Sequence, residues 1–392
     1  MPIATPSEAL KRQLLEVTAK EAEPTVRDLD TRPAVMLAPQ SFVGGMHAAN
    51  VAACLPNLVG VVDDKATEPT LFGVPRWNSA EFLAQAGRFT DAVAIDFSTG
   101  MEARALFASL CARAGVERQD CIVVLAQLDM SSVYEPIKLY RSRTLERLDE
   151  FVRLADRFED EHSRATLYGN LLFRLSYERS HMLPSWASPI DEYFSLYAST
   201  STFQLGSREH YCDCGAFQGP IVSKFLAATG RQYGSITAFE PDRTNFDVLT
   251  RISPIALDNY RPVNKAVSNR AEALRFHETG TVSSHVSDTG TVTVQTARLD
   301  DELDKLTFLK MDVEGYEART LEGAAGLIGR QRPRIAACVY HYAQDLLDVV
   351  AQLDKSAGDY HLRLRQHNAS YFYDLVLYAS PVAGSEAPAW AA

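Results

Sequence analysis

Apolar runs of strand length recur at regular intervals between residues 33 and 142. They lie at 34–38, 59–63, 92–97 and 121–125, and each of them predicts a strand. The stretches between them have apolar positions at helical spacing, at 46–55, 79–87 and 101–114. Strands that alternate with helices are typical of βαβ units around a parallel sheet. The pattern therefore predicts a Rossmann-like α/β domain over residues 33–142.

A second alternation of apolar runs and helical stretches fills residues 206–392. Its last two runs, 360–365 and 372–379, are separated by a short polar loop, which indicates a hairpin. We therefore predict a second α/β domain, in which an antiparallel carboxyl-terminal hairpin finishes a parallel sheet.

The two remaining segments have helical periodicity. Apolar residues recur at three- and four-residue steps after residue 143, so we expect residues 143–205 to form a helical bridge or a lid. Residues 1–32 begin with leucines at helical spacing and then become rich in proline, threonine and aspartate, which predicts one amphipathic helix and a linker. The predicted fold class is α/β, with two sheet domains joined by a helical segment.

The composition of the chain argues against several classes of protein. The 392 residues are 46% hydrophobic and carry a formal net charge of −11, a charge that neither nucleic acid nor an anionic membrane surface attracts. No apolar run approaches the roughly 18 residues that a membrane helix needs, and the first residues lack the pattern of a signal peptide. We therefore expect a soluble, cytoplasmic protein with reduced cysteines. Whether it forms a homo-oligomer stays open.

Three predicted strands end in acids and glycines, and this suggests where a ligand binds. Their sequences are Tyr-Cys-Asp-Cys-Gly-Ala-Phe-Gln-Gly (211–219), Ile-Thr-Ala-Phe-Glu-Pro-Asp (236–242) and Phe-Leu-Lys-Met-Asp-Val-Glu-Gly-Tyr-Glu (308–317). Ligands of open α/β sheets bind just beyond the carboxyl ends of the strands. Three such ends in order predict a site for a nucleoside cofactor, and hence an enzyme.

Individual residues at these ends suit that role. Gly215 and Gly219 allow a sharp turn and a close approach of the backbone to a ligand. Asp213 can accept a hydrogen bond from a cationic amine or orient the loop, and Glu240 can accept from both hydroxyls of a ribose. The phosphate-binding pattern Gly-x-x-x-x-Gly-Lys-Ser/Thr is not present, so phosphoryl transfer is not indicated. Taken alone, residues 213–219 are also compatible with an ordinary strand-to-helix turn.

At these residues the chain resembles the FkbM family of S-adenosylmethionine-dependent methyltransferases. The likeness covers about 188–380 and is strongest at 308–317, followed by Leu-Glu-Gly-Ala (321–324) and Arg-Pro-Arg-Ile (332–335). It implies a class I methyltransferase fold, with S-adenosylmethionine on the loop 213–219, its ribose on Glu240 and its adenine near Lys265. The cofactor-binding residues that it implies are Asp213, Gly215, Ala216, Phe217, Gly219, Glu240, Asp242, Lys265, Ala266 and Asp312. Gln218 departs from the family's usual loop, and the first domain lies outside the resemblance.

Four polar residues are candidates for the chemistry of transfer to a hydroxyl. Asp312 and Glu314 point the same way if their strand continues to residue 314, although the pair could instead cap a helix that starts near residue 316. His341 follows the next apolar run and could act as a base, with a buried structural histidine as the alternative. His367 indicates an acceptor site. We predict no metal site, although a cation shared by Asp312, Glu314 and His341 is an open alternative.

The loop 277–291, which contains Ser283 and His285, is either a flexible connection or a cover for the methyl donor. We therefore predict O-methylation of a hydroxyl on a small molecule or glycan. The alternative is a non-catalytic cofactor-binding scaffold whose first domain docks a partner or senses a nucleotide. A dinucleotide enzyme built on the first domain is less favoured, because the acids Asp63 and Asp64 come without a glycine fingerprint.

Overall fold

The computed structural model describes residues 5–19, 23–65, 67–131, 134–197, 202–252, 257–281, 284–287, 289–368 and 371–382. Within these ranges the strands form three sheets, of six, four and seven strands, with helices between them. The fold is therefore mixed α/β, as predicted. No helix in the described ranges is long and apolar enough to cross a membrane.

The strands are β1 (Ala34–Leu37), β2 (Leu58–Val62), β3 (Thr70–Leu71), β4 (Val74–Trp77), β5 (Val93–Asp96), β6 (Glu117–Asp120), β7 (His210–Cys214), β8 (Ser235–Phe239), β9 (Tyr260–Val263), β10 (Ala266–Val267), β11 (Ala273–His277), β12 (His285–Val286), β13 (Val292–Ala297), β14 (Phe308–Met311), β15 (Arg334–Cys338), β16 (Tyr360–Gln366) and β17 (Leu375–Pro381).

The α-helices are α1 (Pro6–Thr18), α2 (Phe42–Cys54), α3 (Ser79–Ala84), α4 (Met101–Ala114), α5 (Cys121–Gln127), α6 (Ile137–Glu146), α7 (Leu148–Leu154), α8 (Glu161–Ser176), α9 (Pro220–Ala228), α10 (Arg243–Leu249), α11 (Leu299–Glu302), α12 (Glu317–Gly323), α13 (Ala325–Gln331) and α14 (Asp345–Ser356). Four 3-10 turns lie at Ala86–Arg88, Ala155–Arg157, Arg179–Ser185 and Pro189–Asp191.

The first sheet has the order β3-β4-β2-β1-β5-β6, and its strands pair in parallel except for the β3–β4 hairpin. Strands β1 and β5 are buried along their whole length, which is typical of a parallel sheet covered on both faces. The last strand is the polar segment Glu117–Asp120 and not the apolar run that follows it.

The predicted strand at 121–125 is wrong, because these residues belong to helix α5. The side chain of Asp120 accepts the backbone N–H of Ile122 at 3.0 Å and so caps the first turn of this helix. All five residues of the run are buried, and a helix buried on every side shows no apolar stripe in its sequence. Periodicity alone could not separate a buried helix from a buried strand here.

The seven-stranded sheet has the order β16-β17-β15-β14-β7-β8-β9. Its strands pair in parallel except at β17, which runs antiparallel to both β15 and β16. The predicted carboxyl-terminal hairpin is therefore confirmed. The carboxyl ends of β7, β8, β14 and β15 meet at one edge, where the loops with the predicted site residues begin.

Helix α8 of the helical segment packs into the interior, whereas Tyr193 near the end of that segment lies at the carboxyl edge of the sheet, where its hydroxyl contacts the carboxylate of Asp312 at 3.2 Å. Helix α8 is buried on nearly every side, and its leucines share a core with Leu362 and Leu364 of β16. Helix α1 packs on α8, with Leu10 and Leu14 in the same core. The hydrophobic cores contain residues from more than one of the four predicted segments. The division of the chain into these segments stays a prediction.

A buried ion pair fastens the first sheet to the helical segment. The guanidinium of Arg179, 1% exposed, lies 2.7 Å from the carboxylate of Asp120 at the end of β6. Arg104 contacts the second oxygen of the same carboxylate at 2.9 Å. Removing one member of a buried ion pair lowers the stability of the folded protein, because the remaining charge stays buried without its partner.

We expect the substitution Arg179→Met to lower the free energy of unfolding by about 3 kcal/mol. This value is near the lower end of the range for buried ion pairs, because Asp120 would still be paired with Arg104. Denaturation in urea measures this change. The matched control is Arg157→Met, whose pair with Asp354 is 42% and 44% exposed and should contribute about 1 kcal/mol or less. Equal losses in the two variants would contradict the role of burial.

Candidate functional site

Two adjoining cavities open at the carboxyl edge of the seven-stranded sheet. The first spans about 680 Å³ and the second about 1,010 Å³, and both volumes include the solvent at their openings. Both are lined by Gly215, Phe217, Asp312 and Glu314, so these residues form the boundary between them. The loops after β7 and β14 thus separate the two cavities.

The loop after β7 lies unusually close to the loop after β14. Gly215 has a φ of 75°, and a Cβ atom at this position would lie 1.8 Å from the carbonyl oxygen of Asp312. Only glycine fits a contact of this kind in this conformation. Gly219 (φ 89°) instead precedes α9 and faces Leu249 and Ile252, and it lines neither cavity.

A buried ion pair joins the two strands beneath these loops. Asp213 and Lys310 are almost inaccessible to solvent, and the ammonium lies 3.1 Å from the Asp213 carboxylate. Lys310 also donates a hydrogen bond to the carbonyl oxygen of Gly215 at 2.7 Å. Burial raises the pKa of Asp213, and the charge of Lys310 offsets part of that effect. Asp213 therefore anchors the loop through Lys310, a residue that sequence reasoning did not single out.

Glu240 lies at the end of β8 and lines the first cavity. Its Oε2 accepts the backbone N–H of Phe217 and its Oε1 that of Asp242, both at 2.8 Å. A carboxylate offers about four acceptor positions, so two remain for a ligand. Burial raises the pKa of Glu240 to about 7. The residue thus holds the glycine loop and can still accept hydrogen bonds.

The other predicted cofactor residues are divided between the cavities and the scaffold. Lys265 and Ala266 line the first cavity, and Lys265 is paired with Glu302 at 2.6 Å. Ala216 lines the second cavity and Phe217 lines both.

Asp242 lines neither cavity, so the structure does not bring it to the predicted cofactor site. It caps α10 through the N–H of Asn245 at 3.1 Å. It also accepts hydrogen bonds from Gly280 at 2.9 Å and Ser284 at 2.6 Å. Asp242 therefore ties the predicted loop 277–291 to the end of β8.

The rest of the first cavity has apolar walls and a polar rim. The walls include Phe239, Val267 and Phe276, and the rim includes Ser284 and His285. Ser283, which we singled out in the same loop, lies outside the described residues. An apolar slot with an acid at one end suits a flat ring attached to a polar group.

Asp312, Glu314, Glu317 and His341 form what we call the junction cluster. His341 Nε2 lies 3.4 Å from a carboxylate oxygen of Asp312 and 3.4 Å from one of Glu314, and its Nδ1 lies 3.2 Å from Glu317. Three of the predicted catalytic residues are thus adjacent in space. Glu317 was not predicted, although it lies in the motif that carries the family resemblance.

The backbone that brings these carboxylates together differs from the prediction. Strand β14 ends at Met311, and a turn with positive φ at Glu314 (58°) and Gly315 (88°) leads into α12. The strand therefore does not continue to residue 314, and the condition under which Asp312 and Glu314 would point the same way is not met. Neither Asp312 nor Glu314 caps α12, because no side chain caps the N-terminus of this helix.

The carboxylates of the junction cluster favour the protonated form of His341. Burial alone would lower the pKa of His341, but the carboxylates of Glu317 and Glu314 outweigh it and raise that pKa well above its usual value. Burial raises the pKa of Glu314 to about 7, against the opposing charge of His341. Burial would also raise the pKa of Asp312, but His341 and Lys310 hold it below its usual range. Among these groups, Glu314 has the pKa best suited to accept a proton at neutral pH.

His367, the fourth predicted catalytic residue, lines neither cavity. Its ring nitrogens form hydrogen bonds with the carbonyl oxygen of Ser188 and with the hydroxyl of Tyr378, both at 2.8 Å. Burial lowers its pKa to about 4, which leaves it neutral. The structure therefore places His367 beside the cavities as a packing residue, while its neighbour Asn368 lines the second cavity.

The second cavity is rich in tyrosines and acids that come from distant parts of the sequence. Its lining includes Met46, Tyr134, Glu192, Tyr193, Tyr340, Tyr373 and Asp374. Met46 and Tyr134 belong to the predicted first domain, so this domain supplies part of the wall. The ring centroid of Tyr134 lies 5.3 Å from that of His341 and 5.5 Å from that of His285. No motif or spacing in the sequence indicated these residues.

Comparison with known proteins identifies one family. Residues 213–371, about two fifths of the chain, match the family model of the methyltransferase FkbM domain. The predicted resemblance is thereby confirmed for this segment, and the match indicates methyltransferase activity. No curated protein matches the chain.

Two solved structures are similar to this one to very different degrees. Methyltransferase FkbM from Methylobacillus flagellatus KT aligns over 95% of this chain and 100% of its own, with a TM-score of 0.80 and 21% identity. That similarity shows a shared fold, which extends to the N-terminal sheet. A proposed rRNA methylase from Clostridium thermocellum aligns over 45% of this chain and 88% of its own, at 10% identity. Its TM-score of 0.31 is too low to support an argument.

We expect Gly215→Ala to destabilise the protein by at least 1 kcal/mol more than Gly73→Ala, as measured by urea denaturation. Both glycines have nearly equal φ values, 75° and 77°, so the backbone strain of about 1–2 kcal/mol is common to both. A Cβ atom at Gly73 meets nothing within 4 Å, whereas at Gly215 it meets the Asp312 carbonyl. Equal losses would show that the close approach of the two loops is unimportant.

Proposed function

We propose that this protein transfers a methyl group from S-adenosylmethionine to a hydroxyl of a small molecule or glycan. The observation that carries the proposal is the pair of cavities that meet at Asp312 and Glu314. A group-transfer enzyme needs two reactants held end to end, and two adjoining volumes with a polar boundary meet that need.

The chemistry of the first cavity fits S-adenosylmethionine. Its apolar walls suit an adenine ring, and the remaining acceptor positions of Glu240 suit the ribose hydroxyls. The carboxylates of Asp312 and Glu314 at the boundary suit the positively charged sulfonium end. Bound there, the cofactor would supply a methyl group on a sulfonium. An oxygen nucleophile would bond to the methyl carbon, and the neutral thioether would leave with the electron pair of the carbon–sulfur bond.

The second cavity suits a hydroxylated acceptor. Tyr134, Tyr193, Tyr340 and Tyr373 offer flat apolar faces with polar tips, and Glu192 and Asp374 add hydrogen-bond acceptors. A sugar or polyketide-like molecule presents both apolar faces and hydroxyl donors. We infer that the predicted first domain takes part in acceptor recognition, since Met46 and Tyr134 line this cavity.

The junction cluster suits the removal of the hydroxyl proton. Glu314 lines both cavities, and its pKa of about 7 matches the operating range of a general base. As the acceptor oxygen attacks the methyl carbon, its proton passes to the Glu314 carboxylate and then to solvent. His341 then orients Glu314 and Asp312, a role that replaces our initial hypothesis of a histidine base.

A nucleotide-binding role for the first sheet has less support. Asp63, the acid at the end of β2, accepts the backbone N–H of Lys65 at 3.0 Å. Asp64 accepts the backbone N–H and the hydroxyl of Ser79 at 2.7 and 2.6 Å. Neither acid lines either of the two cavities that meet at Asp312 and Glu314.

The substitution Glu240→Gln should weaken the binding of S-adenosylhomocysteine at least tenfold, because the amide cannot accept two backbone donors and two ribose hydroxyls at once. Isothermal titration measures the affinity. Glu81→Gln is the matched control, since Glu81 also accepts a backbone N–H, from Asn78 at 2.9 Å, but lies in the first sheet region. If Glu240→Gln bound S-adenosylhomocysteine with unchanged affinity, Glu240 would not be the residue that binds the ribose.

The affinity should also depend on pH. Glu240 has a pKa of about 7 in the absence of ligand, and ribose hydroxyls bind its deprotonated form. We therefore expect the affinity of the wild-type protein for S-adenosylhomocysteine to fall as the pH is lowered through 7 to 6. The affinity of Glu240→Gln should lack this dependence, and parallel profiles for the two proteins would assign the titration to another group.

Glu314→Gln should retain the affinity for S-adenosylhomocysteine within about threefold but lower the rate of methyl transfer at least 100-fold, the usual contribution of a general base. The rate is measured with radiolabelled S-adenosylmethionine and a panel of sugars and polyketides. Full turnover in this variant would exclude Glu314 as the base. Cofactor binding without methylation of any acceptor by the wild-type protein would favour the scaffold alternative.

A further inference from the structure

His341 has polar atoms that the protein itself does not satisfy. Its side chain is 1% exposed, and neither ring nitrogen makes a hydrogen bond with any described residue. The carboxylate oxygens of Asp312, Glu314 and Glu317 lie 3.2–3.4 Å from these nitrogens but without the alignment of hydrogen bonds. The charges of these carboxylates offset part of the cost of burying the imidazole, but its ring nitrogens have no aligned hydrogen-bond partner among the described residues, and this points to a ligand here.

The donor atoms of Asp312, Glu314 and His341 lie within 4.8 Å of one another. Bonds of about 2.0–2.2 Å from carboxylate oxygen or imidazole nitrogen to a divalent cation place neighbouring donors about 3 Å apart. The separations of 3.4 Å between His341 Nε2 and the two carboxylates are close to that value. A small inward movement of the side chains, with release of the proton of His341 Nε2 to solvent, would complete three ligand positions.

The surroundings of His341 also suit coordination. Its Nδ1 faces Glu317, whose Oε1 accepts the backbone N–H of Val313 at 2.9 Å and is thereby held in place. Ligating histidines commonly direct their second ring nitrogen at a carboxylate, which fixes the ring and leaves the other nitrogen for the metal. Three carboxylates around one imidazole also leave an excess of negative charge that a cation would balance.

We propose that Asp312, Glu314 and His341 hold a divalent cation of the manganese or magnesium class, and that the acceptor hydroxyl binds to it. Two carboxylates and one imidazole form a donor set of the kind that Mn²⁺ accepts. The proposal rests on the proposed function for the identity of the acceptor, and it departs from our sequence-based expectation of no metal.

A second set of donors shares His341 but is less suitable. Glu317, His341 and Asp345 also lie within 4.8 Å of one another, and all three are buried. Glu317 and Asp345 line neither cavity, so a cation held there would lie farther from an acceptor in the second cavity. Asp312 and Glu314 line both cavities, and a cation on them would reach both reactants.

This position gives the cation a role in the transfer. A divalent cation lowers the pKa of a hydroxyl that binds to it and fixes the position of its oxygen. The hydroxyl proton passes to the second carboxylate oxygen of Glu314 and then to solvent. The oxygen forms its bond to the methyl carbon as the carbon–sulfur bond breaks, and the sulfur keeps the electron pair.

The experiment is a titration of the EDTA-treated, desalted full-length protein with Mn²⁺, followed by the electron paramagnetic resonance signal of unbound Mn²⁺. We expect one Mn²⁺ per chain, and we expect Asp312→Asn to weaken its binding at least tenfold. His341→Ala should have the same effect, and Asp312→Asn keeps the proposal testable if the histidine variant fails to fold. Circular dichroism verifies the fold of each variant.

Two matched variants test the position. Asp374→Asn changes a carboxylate of the second cavity outside the donor set, and Asp345→Asn changes a member of the competing set. Both should keep the Mn²⁺ affinity within about threefold. No Mn²⁺ binding up to millimolar concentration, or a loss confined to Asp345→Asn, would overturn the proposal.

A second titration, with S-adenosylhomocysteine in the presence of EDTA, separates this proposal from the proposed function. Binding of S-adenosylhomocysteine without binding of Mn²⁺ would refute the cation site and leave the methyl-donor site standing. Binding of Mn²⁺ without S-adenosylhomocysteine would support the cation site and contradict the proposed function. With both sites present, EDTA should lower methyl transfer at least tenfold, and added Mn²⁺ or Mg²⁺ should restore it.

Discussion

The ammonium group of Lys310 is buried at the point where the two cavities begin, and the arrangement of the site depends on it. It is paired with Asp213 on the neighbouring strand and donates a hydrogen bond to the carbonyl oxygen of Gly215. Gly215 in turn lies against the carbonyl oxygen of Asp312. One interaction therefore sets the distance between the loops after β7 and β14, and with it the boundary across which a methyl group would move. Because both charges are buried, loss of either would leave its partner unpaired inside the protein.

Around this scaffold, carboxyl groups are concentrated in and between the two cavities. Glu240 projects into the first cavity, Asp312 and Glu314 lie at the boundary, and Glu192 and Asp374 lie in the second cavity. Burial raises the pKa of Glu192 in the second cavity to about 8. Such a distribution suits a cationic donor and a hydroxylated acceptor. The same excess of carboxylates is the reason to expect a metal ion beside His341.

The sequence predicted those features that depend on neighbours along the chain. The strand ends, the glycines and the carboxylates of 213–219 and 308–317 lie within short motifs, and their proximity follows from the order of parallel strands. The buried ion pair of Lys310 was also predictable in part, because a lysine inside the apolar strand β14 needs a buried partner. The position of Tyr134 in the second cavity was not predictable from the sequence, because it results from tertiary packing alone. The run 121–125 was assigned to the wrong element because a helix buried on all sides has no periodic polar face.

The claim that joins these observations is that the first cavity holds the S-adenosyl group and directs its sulfur toward Asp312. A crystal structure of the protein grown with S-adenosylhomocysteine tests it directly. The account predicts density for the adenosine between Phe239 and Phe276, with the ribose at Glu240 and the sulfur at the boundary with the second cavity. Density for the ligand in the second cavity, in the first sheet or at neither cavity would contradict it.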